Sequence, residues 1–134
     1  MLPVTSDTIR LFLHVLGATV WVGGQIALAG VVPIVRRTAG IDVVRLVGRR
    51  FQQIAWPAFA LLLVTGVWNL FDVNVGDQDS EYLVTLFVKL VFVALSGLCA
   101  AGHIVSSGAK AGVLAAGGLL FALAATFVGV QLHG

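Results

Sequence analysis

Two side chains set in apolar surroundings are the residues here best suited to chemistry, a histidine and a lysine. His14 stands in Leu13-His14-Val15-Leu16-Gly17-Ala18-Thr19-Val20-Trp21-Val22-Gly23-Gly24, and Lys89 stands in Val88-Lys89-Leu90. Away from water, imidazole and amine both resist carrying charge. In their neutral forms they ligate a metal ion or pass a proton. At roughly 100° per residue, His14, Ala18, Trp21 and Gln25 fall on one helix face. The Trp21 indole on that face suits stacking on a planar cofactor, and equally suits ordinary core packing. Ser96, Ala100 and His103 share the face of Lys89 within about 40°, which implies that this face looks inward. Each residue also has a plainer reading. Lys89 snorkels towards water, where Asp72, Asp77, Asp79 and Glu81 lie, and His14 is a buried imidazole bonded to another helix.

Weaker constellations surround this pair. Cys99 and His103, four residues apart, share a helix face, and a soft thiolate with an imidazole suits Cu(I). His133 falls at an outer membrane edge, either joining His14 or standing in a mobile tail. Trp68 reads as an interfacial aromatic residue that would wall an outer pocket if turned inward. Asp77, Asp79 and Glu81 alternate like half a calcium loop but lack the glycine and terminal glutamate spacing, so a solvated acidic loop is expected. The single cysteine excludes an internal disulfide. Phosphate-loop, serine-triad and zinc-hydrolase patterns have no counterpart.

The elements that must position these groups follow from composition. Of 134 residues 59% are hydrophobic and only 10% charged, and the mean hydropathy is +1.04. A soluble domain carries about 25% charged residues, and one this small could not hide so much apolar surface. The expected class is an all-α integral membrane four-helix bundle, one domain over residues 1–134, with spans at about 8–35, 51–71, 82–106 and 112–132. Ser6 or Asp7 is expected to cap the first helix and Asp42 the second. The first apolar run is too long for a signal peptide and lacks a basic leader. Net charge is only +2, with most basic residues in one loop, so nucleic-acid binding is not expected. Small residues four apart, Gly23 with Ala27, Gly97 with Ala101, Gly112 with Ala116 and Gly118 with Ala122, suit close helix approach within the bundle or in a homodimer.

Orientation follows from the basic residues. Arg36, Arg37, Arg45, Arg49, Arg50 and Lys110 lie in the first and third connections, against Arg10 alone on the other side. The first and third loops are therefore expected in the cytoplasm, with both termini and the acidic loop outside a bacterial inner (cytoplasmic) membrane. Counted from the outer ends of their spans, His14 and Lys89 each lie about 9 Å in, and His103 about 30 Å along its helix. An outer-leaflet site shared by His14 and Lys89 is expected, and one joining His14 to His103 is not.

Leu13-His14 with Trp21-Val22-Gly23-Gly24, then Arg49-Arg50-Phe51, Pro57-Ala58 with Gly66 and Trp68, and Val88-Lys89-Leu90 resemble the copper-resistance D (CopD) family in order and spacing. The same landmarks resemble HemJ, the haem-binding protoporphyrinogen oxidase, where a first-span histidine and a third-span lysine are functional. The resemblance implies that His14 and Lys89 are the matching positions. It implies a membrane protein handling copper or haem iron at an outer-leaflet site of His14 and Lys89, walled by Trp21 and Trp68. The alternatives are a b-haem redox protein passing electrons or protons, and a small structural subunit without a cofactor. Whether the chain is an enzyme stays open. The expected partners are the lipid bilayer and, on the outer face, a second copy or a redox or copper-carrier protein.

Overall fold

Thr5 starts the first helix. In the computed structural model, which describes residues 1–133, its hydroxyl accepts from the Thr8 backbone N–H at 3.2 Å. The Thr8 hydroxyl in turn accepts from the Thr5 N–H at 3.4 Å. This reciprocal cap satisfies donors that a helix start otherwise leaves bare. Ser6 and Asp7 lie in the first turn rather than at the cap, because the backbone is still extended at Thr5 (φ −112°, ψ 170°).

Helix α1 spans Ser6–Ala18, a π-helical turn occupies Thr19–Gly23, and α2 spans Gly24–Ala39. Together they form one continuous helix of 34 residues. The π turn adds one residue to the cycle and loosens the local carbonyl ladder. Two side chains attach to that ladder: the Thr19 hydroxyl donates to Val15 O at 2.8 Å, and the Gln25 amide donates to Trp21 O at 3.0 Å. In Gln25→Leu the second bond is gone, and the protein is expected to lose about 1 kcal/mol, a typical net hydrogen bond. Thermal unfolding in detergent measures it.

Gly40, at φ 86°, ends α2 in a conformation that glycine adopts without strain. Helix α3 follows at once over Ile41–Val73. Asp42 therefore lies in its first turn and is not its cap. Asn74 takes the left-handed conformation at φ 52°, and a single 3₁₀ turn, Val75–Asp77, leads to α4, Ser80–Val105. The Asp79 carboxylate caps α4 by accepting from the Tyr82 N–H at 2.7 Å. Helix α5 spans Gly108–His133, with Lys110 in its first turn. The acidic connection is thus shorter than the sequence suggests, since Asp72 lies in the last turn of α3 and Glu81 in the first turn of α4.

All four long helices, Ser6–Ala39, Ile41–Asp72, Ser80–Val105 and Gly108–His133, are long and apolar enough to cross a membrane. The all-helical, multi-pass expectation is borne out.

The chain divides into two compact units, Met1–Val73 and the residues from Asn74 onward. In the first, α1 and α2 run antiparallel to α3 in a continuous register. Arg10 pairs with Asp72, His14 meets Thr65, and Gly17 lies over Ala58 and Leu62. Trp21 packs on Trp56 and Phe59, and Gly24 lies under the Phe51 ring.

In the second unit α4 and α5 pair in the same antiparallel way. Lys89 lies at Gly129, Phe92 stacks on Phe121, Ser96 bonds to Gly118, Gly102 meets Leu114 and His103 bonds to Ala111. Of the small residues singled out above, Gly97 on α4 and Gly118 and Ala122 on α5 are buried. A Cβ added at Gly23 or Gly112 would meet nothing within 4 Å.

Candidate functional site

His14 sits on α1 one turn beyond Arg10, on the face turned to α3. Its Nδ1 is hydrogen-bonded to the Thr65 hydroxyl at 2.8 Å. Thr65 is 1% exposed, and its Oγ1 lies 2.7 Å from Leu61 O and 3.2 Å from Leu62 O of its own helix. The ring edge lies against Gly66, where an added Cβ would come within 3.8 Å of His14 Cε1. The imidazole is thus held by a polar partner on one edge and by bare backbone on another.

Arg10 lies one turn before His14, towards the start of α1. Its side chain is 14% exposed and bridges Asp7, at 3.1 Å, and Asp72. Inward, the buried Trp21 indole meets Phe59 with centroids 4.4 Å apart and Trp56 edge-on at 5.4 Å. Trp21 is 4% exposed, so the indole is packed within the protein, with Phe59 and Trp56 among its neighbours. Trp68 is 37% exposed.

In the second unit Lys89 lays its side chain on α5. An added Cβ at Gly129 would come within 3.3 Å of both Lys89 Cε and Nζ, so the glycine makes room for the amine. Among the described residues of this unit Lys89 pairs with no carboxylate. Ser96, 1% exposed, donates to Gly118 O at 2.9 Å. His103 Nδ1–H donates to Ala111 O at 2.7 Å, although the residue is exposed. Cys99 Sγ lies against Gly117, 3.4 Å from where a Cβ there would stand. The face that carries Lys89, Ser96 and His103 is therefore the one packed on α5. His133 is exposed at the end of α5.

Among the described residues, no three His, Cys, Asp or Glu side chains gather so as to hold a metal ion. Any ion that His14 or the Cys99–His103 pair met would find few protein ligands at either place. Thr65, Arg10, Trp56 and Phe59 are the residues of this region that sequence reasoning did not single out. The signal available for Arg10 and Asp72 was a charge at each end of two apolar runs. Thr65 gave none, because a threonine whose hydroxyl bonds its own helix is unremarkable in an apolar span.

Four apolar membrane-length helices carrying a few inward polar side chains define a small multi-pass membrane protein. Residues 45–112, half of the chain, match the family described as Copper resistance protein D, and the chain belongs to that family. The matched region holds Thr65, Trp68, Lys89, Cys99 and His103; His14 precedes it. An uncharacterized protein of Aquifex aeolicus (strain VF5) is 36% identical over 90 residues, 63% of this chain and 63% of that protein's length. The chain thus matches less than two thirds of that relative. No solved structure matches.

Proposed function

We propose that this protein handles copper ions as cargo in the bacterial cytoplasmic membrane, and that the His14 imidazole is the group that takes the ion. The observation that carries the reading is the His14–Thr65 pair, a histidine anchored by one nitrogen to a buried hydroxyl in a chain of the copper resistance D family. Imidazole is a good copper ligand, and a hydrogen-bonded partner fixes the orientation of such a ring. Lys89 is a second functional position in the same reading. The sparse ligand set suits an ion that must leave again, passed to a carrier protein or a second copy on the outer face. Basic residues around the α2–α3 turn support an orientation with that turn in the cytoplasm and His14 in the outer leaflet.

The test is metal analysis and a visible spectrum of the full chain, purified in detergent after growth with copper. Copper bound to wild type and weakened more than about 100-fold in His14→Ala, a larger loss than an outer-shell change gives, supports the reading. A Soret band that vanishes in His14→Ala replaces copper with a b-type haem. If neither metal is found, and copper resistance is the same in wild type and His14→Ala, both metal readings fail. Thiol labelling of His14→Cys from the cytoplasmic side alone overturns the orientation.

A further inference from the structure

The geometry points to Thr65 as the positioning residue that fixes His14 in the Nδ1–H tautomer, so that the ring's lone pair lies on Nε2. The argument is a count of protons. A threonine hydroxyl has one hydrogen to donate and two lone pairs. The Thr65 oxygen has three close polar neighbours: Leu61 O at 2.7 Å, Leu62 O at 3.2 Å and His14 Nδ1 at 2.8 Å. The two carbonyls can only accept. Two oxygens 2.7 Å apart with no proton between them repel, so the hydroxyl hydrogen belongs on the Leu61 side. The hydroxyl is then an acceptor towards the imidazole, and the proton of the 2.8 Å contact belongs to His14 Nδ1. In a neutral ring that leaves the lone pair on Nε2.

Burial makes the choice stringent. Thr65 is 1% exposed, so no water substitutes for either partner, and the wrong tautomer would leave an acceptor facing an acceptor. Donation to Leu61 also polarises the hydroxyl and strengthens it as an acceptor for the ring. The contact joins α1 to α3, so it orients the imidazole plane as well as its proton. Gly66, next along α3, leaves the ring edge room to take that pose.

The tautomer can be read without any metal, while its use as a ligand pose rests on the copper reading above. The experiment is ¹⁵N and ¹³C NMR of the full chain in detergent, with labelled histidine, His14 assigned by its loss in His14→Ala. Wild type is expected to show protonated Nδ1 and unprotonated Nε2. Thr65→Ser keeps the hydroxyl and is expected to keep that spectrum. Thr65→Val keeps the shape and is expected to lose it, giving the Nε2–H form or a mixture.

Cu(I) competition against a chromogenic chelator under reducing conditions is the second measurement. Thr65→Val is expected to weaken Cu(I) binding roughly 10–100-fold, as loss of an outer-shell partner does, with Thr65→Ser near wild type. An Nε2–H signal in wild type, or the same tautomer in Thr65→Val as in wild type, overturns the inference. If Thr65→Val is too unstable for spectra, the wild-type and Thr65→Ser tautomers still decide it. Tautomers as expected in a chain that binds no Cu(I) uphold the positioning role and remove the copper reading instead.

Discussion

A Gly17→Val chain is expected to lose about 3 kcal/mol of stability, the upper end of what overpacking costs, and to lose its His14 chemistry with it. Gly17 lies directly against the backbone of α3. A Cβ there would stand 3.0 Å from Ala58 O, 3.1 Å from Leu62 Cγ and 3.4 Å from Leu62 N. Two of those three atoms are backbone, and a helix backbone does not yield to one side chain without moving as a body. The two branches of valine deepen the clash, so α1 has to withdraw. His14 lies three residues away on the same helix and depends on a 2.8 Å bond to α3. A withdrawal of a few tenths of an ångström weakens that bond; a larger one breaks it. Unfolding in a mixed-detergent titration measures the stability, and the NMR tautomer of His14 measures the docking. Gly23→Ala is the control, since its Cβ meets nothing within 4 Å. It is expected to be neutral or to gain up to about 1 kcal/mol from helix propensity.

The contrast between these two glycines marks what the sequence could and could not reveal. Spacing singled out Gly23 because Ala27 follows four residues later, and passed over Gly17. Small-residue spacing identifies helices able to approach closely; it does not say which glycine meets the neighbour. That depends on the register between α1 and α3, which arises from many contacts distant in sequence. The helices themselves were legible, because an apolar run needs no partner to declare itself a span. So was the face carrying His14 and Trp21, since both do turn to α3. The π turn that carries Trp21 was not: Thr19-Val20-Trp21-Val22-Gly23 has no composition that separates it from an ordinary helix turn.

The candidate site was legible to the same depth. A histidine in an apolar span is conspicuous in a sequence, but its partner is not. Thr65 lies 51 residues from His14, and in its own helix it looks like a mildly polar residue already satisfied by Leu61. The Trp21 indole was suited on paper to stack on a planar cofactor. In the fold its neighbours are Trp56 and Phe59, because the register brings three aromatic residues of α3 and the π turn to one level. Asp72 looked like a counter-ion for Lys89 as long as it was taken for a loop residue. Two more residues of α3 take it into the helix, where it pairs with Arg10.

Replacing that lysine should separate stability from function. Lys89→Leu is expected to be more stable than wild type by about 1–3 kcal/mol, because a lysine near a span centre costs about 2.5–3.5 kcal/mol and less towards an interface. The carbon stem already lies on Gly129, so leucine loses little packing there. If the ammonium merely snorkels, copper resistance in cells is expected to survive the change. If Lys89 serves the cargo, resistance is expected to fall while the unfolding midpoint rises, a combination that damaged packing cannot produce. Lys89→Arg then asks which property matters. Arginine keeps the charge and cannot be deprotonated in a protein, so a role for charge survives it and a role for a neutral amine does not. Gly129→Ala completes the set. Its Cβ meets the flexible end of Lys89 at 3.3 Å, which can shift where the Ala58 carbonyl beside Gly17 cannot. The fold is expected to hold within about 1 kcal/mol, with the amine displaced and resistance altered in the same direction as in Lys89→Leu. Unchanged resistance in all three variants would leave Lys89 a tolerated charge in an apolar helix.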